Sequence, residues 1–145
     1  MNTHPLFDLS GKRALITGSS QGIGLALAEA LASAGAHVIL NGRDRAKCER
    51  VAAAFVARGE QGSVQAFDVT DTANAAQHID AIERDIGAID ILVNNTGVTH
   101  RSAFARTQTE VIRRVMAVNF FGAMHCTHAA LEALVARRGT IITIS

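Results

Sequence analysis

Eight residues near the start of the chain, Thr17-Gly18-Ser19-Ser20-Gln21-Gly22-Ile23-Gly24, limit its fold more than any other stretch. They lie between a short apolar run at 13–17 and a segment at 22–34 with helical spacing, its inner stripe being Leu25, Ala28, Leu31 and Ala32. A strand that turns directly into a helix around a ligand has three needs. The turn must be tight, the backbone must approach a pyrophosphate, and the helix must pack close to its strand. Glycine meets all three because it lacks a Cβ. The unpaired amides of the first helical turn and the positive end of the helix dipole then converge on the same point, which suits an anion. Ser19, Ser20 and Ile23 are expected to supply backbone or hydroxyl donors, with Gln21 in the same turn. No Gly-Lys-Ser/Thr closes the motif, so a Walker-type phosphate loop is excluded and a dinucleotide is the expected ligand.

Beyond the turn the pattern alternates. Strands are expected at 37–40, 63–68, 89–94 and 140–144, and helices at 45–58, from 71 or 72 to about 85, and from 107 to about 136. Asp44 and Asp71 or Thr72 are placed as helix N-caps, and Gly35, Gly59, Gly87 and Gly139 as stops. Thr107-Gln108-Thr109-Glu110 has the spacing of a capping box opening the last, long helix. Short connections between alternating elements predict an α/β fold, a Rossmann-type doubly wound parallel sheet of order 3-2-1-4-5 with helices on both faces. The sheet is expected to be cut off after the fifth strand, with residues 1–145 forming one nucleotide-binding domain. The one long connection, 97–106, falls at the carboxyl end of the fourth strand, where function concentrates in such sheets.

Composition narrows the partners. A formal net charge of +1 gives no reason to expect nucleic acid or an acidic membrane surface. No apolar run is long enough to span a bilayer, and no basic stretch followed by an apolar one marks a leader peptide. Cys48 and Cys126 lie far apart without CxxC spacing, which suits a reducing cytoplasm. His125 and His128 share a helix face but lack further ligands, so no metal centre is expected.

At the ribose end, dinucleotide folds that take NAD place an acidic residue just after the second strand. Here the chain reads Leu40-Asn41-Gly42-Arg43-Asp44, with glycine in the acid's place. A missing carboxylate removes repulsion toward a 2′-phosphate, and the Arg43 guanidinium can pair with it. Asn41 offers a neutral hydrogen bond. NADP is therefore favoured over NAD, although Asp44 reaching the ribose would reverse that preference. Asp68, at the end of the third strand with Val69, is a candidate acceptor for the adenine amine or else a turn residue.

Taken together these motifs resemble the short-chain dehydrogenase/reductase family. The family's Thr-Gly-x-x-x-Gly-x-Gly is present as Thr17, Gly18, Gly22 and Gly24. Its Asn-Asn-Ala-Gly appears as Asn94-Asn95-Thr96-Gly97, with Thr96 replacing alanine. The Asp-Val after the third strand is Asp68-Val69, and the catalytic-helix asparagine matches Asn119. The stretch from Leu6 to Leu15 and the Asn41-Gly42 pair look most like the gluconate 5-dehydrogenase branch. The resemblance implies an alcohol/ketone oxidoreductase that passes hydride to or from a small-molecule substrate, with a sugar acid such as gluconate as one candidate. It also implies that Asn95, Thr96 and Gly97 border the cofactor. Asn119 would hold a water on its main-chain carbonyl, and pairing between copies would use the two long helices at 71–85 and 107–136. Arg101, after the fourth strand, is either a carboxylate ligand or a solvated loop residue.

The family's chemistry also uses a serine and a Tyr-x-x-x-Lys motif. This chain has no tyrosine. Counting from Gly139, Ser145 matches the first of the family's two serines, and a shift of one residue would make it the catalytic one. The expectation is the amino-terminal part of such an enzyme, inactive by itself. The alternatives are a retained nucleotide-binding or interaction module, and a chain too incomplete to fold stably.

Overall fold

A computed structural model describes residues 5–145 of the chain. Five strands form one parallel sheet: β1 (Arg13–Ile16), β2 (His37–Leu40), β3 (Gly62–Val64), β4 (Ile91–Asn94) and β5 (Thr140–Thr143). Their order is β3-β2-β1-β4-β5, as the alternation predicts. The register pairs Leu15 with Ile39 on one side and with Leu92 on the other.

Period-two alternation along these strands builds two cores. Ala14, Ile16, Val38, Leu40 and Val93 point to one face, where they meet Ala28 and Ala32 of helix α1 (Gly22–Ser33) and Ala52 and Phe55 of α2 (Arg45–Ala57). Leu15, Ile39 and Leu92 point to the other face. There they meet Ala75, Ile79 and Ile82 of α3 (Thr72–Asp85) and Cys126, Ala130 and Leu134 of α5 (Gly122–Arg137). Central strands covered on both faces need continuous apolar runs, which is why they are easy to recognise in a sequence. The helices are also fixed locally. Asp44 Oδ1 accepts from the Lys47 amide at 3.0 Å and Asp71 Oδ1 from the Asn74 amide at 3.0 Å. Caps of this kind contribute about 1 kcal/mol each.

Several expectations are corrected. The segment expected as a strand over 63–68 is β-paired only to Val64. Gln65 N still donates to Leu40 O at 2.9 Å, but the Gln65 and Phe67 carbonyls are then taken by the Asn41 side chain, so a side-chain amide replaces the ladder. The long last helix divides into α4 (Thr109–Met116), a wider π-helical turn (Ala117–Phe121) and α5. The capping box does not form. Gln108 is the N-cap without a side-chain bond, and the Thr107 hydroxyl donates back to Ala103 O. The left-handed residue that closes α5 is Arg138 (φ 50°), not Gly139. Gly139 is needed for a different reason: a Cβ there would lie 2.6 Å from the Asp90 carbonyl oxygen.

Candidate functional site

The carboxyl ends of β1, β2 and β4 open into a cleft of about 620 Å³. The glycine-rich turn forms its floor, and hydrogen bonds from three elements hold that turn. Thr17 Oγ1 donates to Val93 O at 3.4 Å and accepts from the Asn95 and Thr96 amides, each at 3.0 Å. Asn95 Nδ2 returns two bonds of 3.1 Å, to the Thr17 and Gly18 carbonyls. Because Asn95 ties the end of β4 to the end of β1, its amide is spent within the protein. Asn94 is buried and donates to Thr127 Oγ1 of α5 at 3.0 Å.

Gly24 allows the close packing the motif requires, since a Cβ there would come 2.3 Å from the Gly18 carbonyl oxygen. Gly22 lies at φ 59° with nothing within 4 Å of where a Cβ would be, so the space beside the start of α1 is open. The N-cap of α1, Gln21, makes no side-chain bond to the helix, and the first-turn amides are left for a ligand. Open space against uncapped amides fits a dinucleotide's pyrophosphate.

The expected residues divide between the cleft and its support. Gly18, Ser20, Gln21, Gly22, Arg43, Asp68, Val69, Asn95, Thr96 and Gly97 line the cleft. Ser19 does not. It is fully buried, with its amide on Asn41 O at 2.8 Å and its hydroxyl on Ile16 O at 2.8 Å, so neither donor is left for a cofactor. Asn41 touches the cleft, but its amide is fully committed. Oδ1 accepts from Gly18 N at 3.3 Å and Nδ2 donates to the Gln65 and Phe67 carbonyls, so Asn41 braces the turn and has no bond left for a 2′-phosphate. Ile23 is 64% exposed and is not among the residues that line the cleft. Arg43 and Asp44 stand exposed on the cleft rim.

Burial alone would raise the Asp68 carboxyl. Hydrogen bonds from Thr70 N and Oγ1 and the charge of Arg43 outweigh that effect and hold it below its ordinary 3.8. Val69 presents its carbonyl to His125 Nδ1 at 3.0 Å. A carbonyl only accepts, so Nδ1 carries the proton and Nε2 accepts from the Thr72 hydroxyl at 3.1 Å. The His125 ring thus joins α5 to the start of α3.

Asn119 lies in the π-helical turn, and its side chain grips the loop after β4. Oδ1 accepts from Val98 N at 2.8 Å and Nδ2 donates to Val98 O at 2.9 Å. Such turns cluster at functional sites because they redirect one stretch of helix. Further residues line the cleft that the sequence motifs do not mark, among them Lys47, Phe67, Thr70 and Arg114. Lys47 follows the Asp44 cap by three positions, and that spacing was the available signal. Arg114 stands one turn before Val118 and also lines a smaller hollow with Val98, Thr99 and His100. Arg101 is exposed and lines neither cavity.

Known proteins share this fold. The short chain dehydrogenase family model matches residues 12–145. Gluconate 5-dehydrogenase of Gluconobacter oxydans is 41% identical over 144 residues, which are 98% of this chain and 56% of that protein. The 5-keto-D-gluconate 5-reductase of Escherichia coli K12 is 36% identical over 96% of this chain and 55% of its own length. The crystal structure of a gluconate 5-dehydrogenase from Burkholderia cenocepacia, in complex with NADP and tartrate, superposes with a TM-score of 0.91 at 40% identity, covering 94% of this chain and 54% of that one. The chain therefore spans about half the length of the relatives it matches.

Proposed function

This chain belongs to the short-chain dehydrogenase family, and on that premise we propose that its cleft takes NADP in preference to NAD, in the service of alcohol–ketone hydride transfer on a sugar acid such as gluconate. One observation carries the cofactor preference. Gly42 occupies the place of a ribose-binding carboxylate, and the next residue, Arg43, lies exposed on the rim of the cleft. The relatives named for gluconate and its keto form support the substrate class, and the neighbour solved with NADP supports the cofactor.

NADP, when bound, supplies or accepts the hydride. The chain's own residues bind and orient it. First-turn amides of α1 would hold the pyrophosphate, Arg43 the 2′-phosphate and Asp68 the adenine amine. Thr17 and Asn95 tie the floor together, and the Asn119 side chain sets the position of Val98, while its main-chain carbonyl would hold the water that the family resemblance implies. The family's tyrosine is not among these 145 residues, so the chain by itself is read as binding the cofactor without turning it over. Both cysteines are buried free thiols, which supports the reading of a reducing cytoplasm, and burial pushes the Cys126 thiol up to about 12, which keeps it unreactive. Among the described residues no helix is long and apolar enough to cross a membrane. Ile112, Met116, Phe120, Met124, Leu131 and Val135 form an exposed apolar stripe along α4 and α5, which supports pairing of two copies through these helices.

Titration with NADPH and NADH, followed by nicotinamide fluorescence, tests the cofactor reading. NADPH is expected to bind at least about tenfold more tightly, and Arg43→Ala to remove that margin, as for loss of a hydrogen bond to a charged group. Equal affinities, or tighter NADH, would overturn the reading.

A further inference from the structure

Arg43 is not the only cation on the ribose side of the cleft. Helix α2 starts two residues after it, and Asp44 Oδ1 holds the Lys47 amide at 3.0 Å, which fixes the first turn of α2 on the cleft rim. Lys47 lines the same cleft as Arg43. Its ammonium donates to Gln21 Oε1, so the side chain reaches from α2 back across to the start of α1. Between the two cations lies Gly42, which has no side chain; a Cβ there would meet Cys48 Sγ at 3.1 Å and Ser20 Oγ at 3.3 Å, so the Cys48 and Ser20 side chains pack against it.

The charges on this rim are unequal in what they leave available. The Arg43 charge acts on the Asp68 carboxylate. Lys47 has a neutral amide as its partner, and none of the ion pairs among the described residues involves it. A phosphate monoester near neutral pH carries close to two negative charges. The single charge of Arg43, which also acts on the nearby Asp68 carboxylate, does not balance it. An ammonium on a flexible stem, held only by an amide, can move to it at small cost.

We propose that Lys47 is a second specificity-determining residue, acting with Arg43 on the 2′-phosphate, with Gln21 holding the ammonium in place until that phosphate arrives. The inference rests on the NADP reading above and adds a residue to it. Calorimetric titration with 2′,5′-ADP and with 5′-AMP isolates the contribution of the 2′-phosphate. Lys47→Met and Lys47→Gln are expected to weaken 2′,5′-ADP about tenfold and 5′-AMP less than about twofold, and Lys47→Arg to restore most of the loss. Circular dichroism melts establish that each variant is folded. Equal weakening of both nucleotides would mean that Lys47 serves the shared part of the ligand or the helix, which overturns the proposal. Unchanged 2′,5′-ADP binding in the neutral variants would overturn it while leaving the NADP reading intact. A wild-type chain that does not distinguish 2′,5′-ADP from 5′-AMP would overturn both.

Discussion

β1 and β5 flank the same strand, β4, both in parallel, and both are short and apolar: Arg-Ala-Leu-Ile and Thr-Ile-Ile-Thr. Their surroundings are opposite. Ala14, Leu15 and Ile16 are completely buried, whereas every residue of β5 is exposed, Ile141 at 43% and Ile142 at 40%. β1 has a strand on each side and a core on each face, while β5 pairs only with β4. Strand character is thus a local property of the residues, and burial is set by what covers them. The glycine-rich turn grows from the covered side. Asn119 and the loop it grips lie toward the thinly covered side. The turn proposed to bind phosphate is therefore carried by a strand whose residues Ala14, Leu15 and Ile16 are fully buried.

The largest test of this contrast truncates matched isoleucines. Ile39→Ala, in the core beside β1, is expected to cost roughly 2–5 kcal/mol in urea unfolding, and Ile141→Ala less than about 1 kcal/mol. Similar losses would mean that β5 is covered in solution and the contrast is false. A middle-sized effect is expected at Asp90, which joins the two flanks. Its buried carboxylate accepts from Arg13 N at 2.9 Å and from Arg137 Nε at 2.9 Å, and its carbonyl accepts from Thr140 N of β5. Burial pushes the Asp90 carboxyl up, but the Arg137 and Arg13 hydrogen bonds and the charges of Arg137 and Lys12 outweigh it and leave it below its ordinary 3.8. A lowered value in the folded state means the stabilisation is complete above the unfolded value and disappears as pH falls through the folded one. Wild-type stability should therefore drop as pH falls below about 4, and Asp90→Asn should flatten that drop while costing about 1–3 kcal/mol at neutral pH. An unchanged acid limb in the variant would remove Asp90 as the joint. The smallest effect sharpens the comparison: Ile142→Thr should change stability by no more than about 0.5 kcal/mol. It should also reduce association of the bare strand edge, measured by light scattering.

Much of this was readable from the residues alone. Sheet order, the α1 turn and the Asp44 and Asp71 caps follow from periodicity and spacing, because each is a local rule acting where both faces are covered. Where sequence and structure differ, the protein's own polar groups have taken the bonds. Asn41 and Ser19 look like ligand groups in the sequence, yet the Asn41 amide is held by Gly18, Gln65 and Phe67, and Ser19 is held by Asn41 and by Ile16 three residues before it. β3 ends early because the Asn41 amide competes for its carbonyls. The capping box at Thr107 fails because Ala103, in a turn no pattern marked, takes the hydroxyl. Lys47 was passed over because a lysine on an amphipathic helix usually faces water, and only the fold brings α2 to the rim of the cleft. A side chain's address can be read from a sequence more easily than its occupation.

The grip of Asn119 on Val98 depends on a wider helical turn, and that dependence restricts how the gene can change. Deleting one residue from 117–121 would restore regular helical geometry and improve local hydrogen bonding. It would also swing one side of the helix by about 100° relative to the other. Asn119 would then lose Val98, or α5 would turn Cys126 and Ala130 out of the core. The number of residues between Met116 and Gly122 is therefore expected to be fixed more tightly than their identity. In this segment, insertion and deletion are tolerated less than substitution.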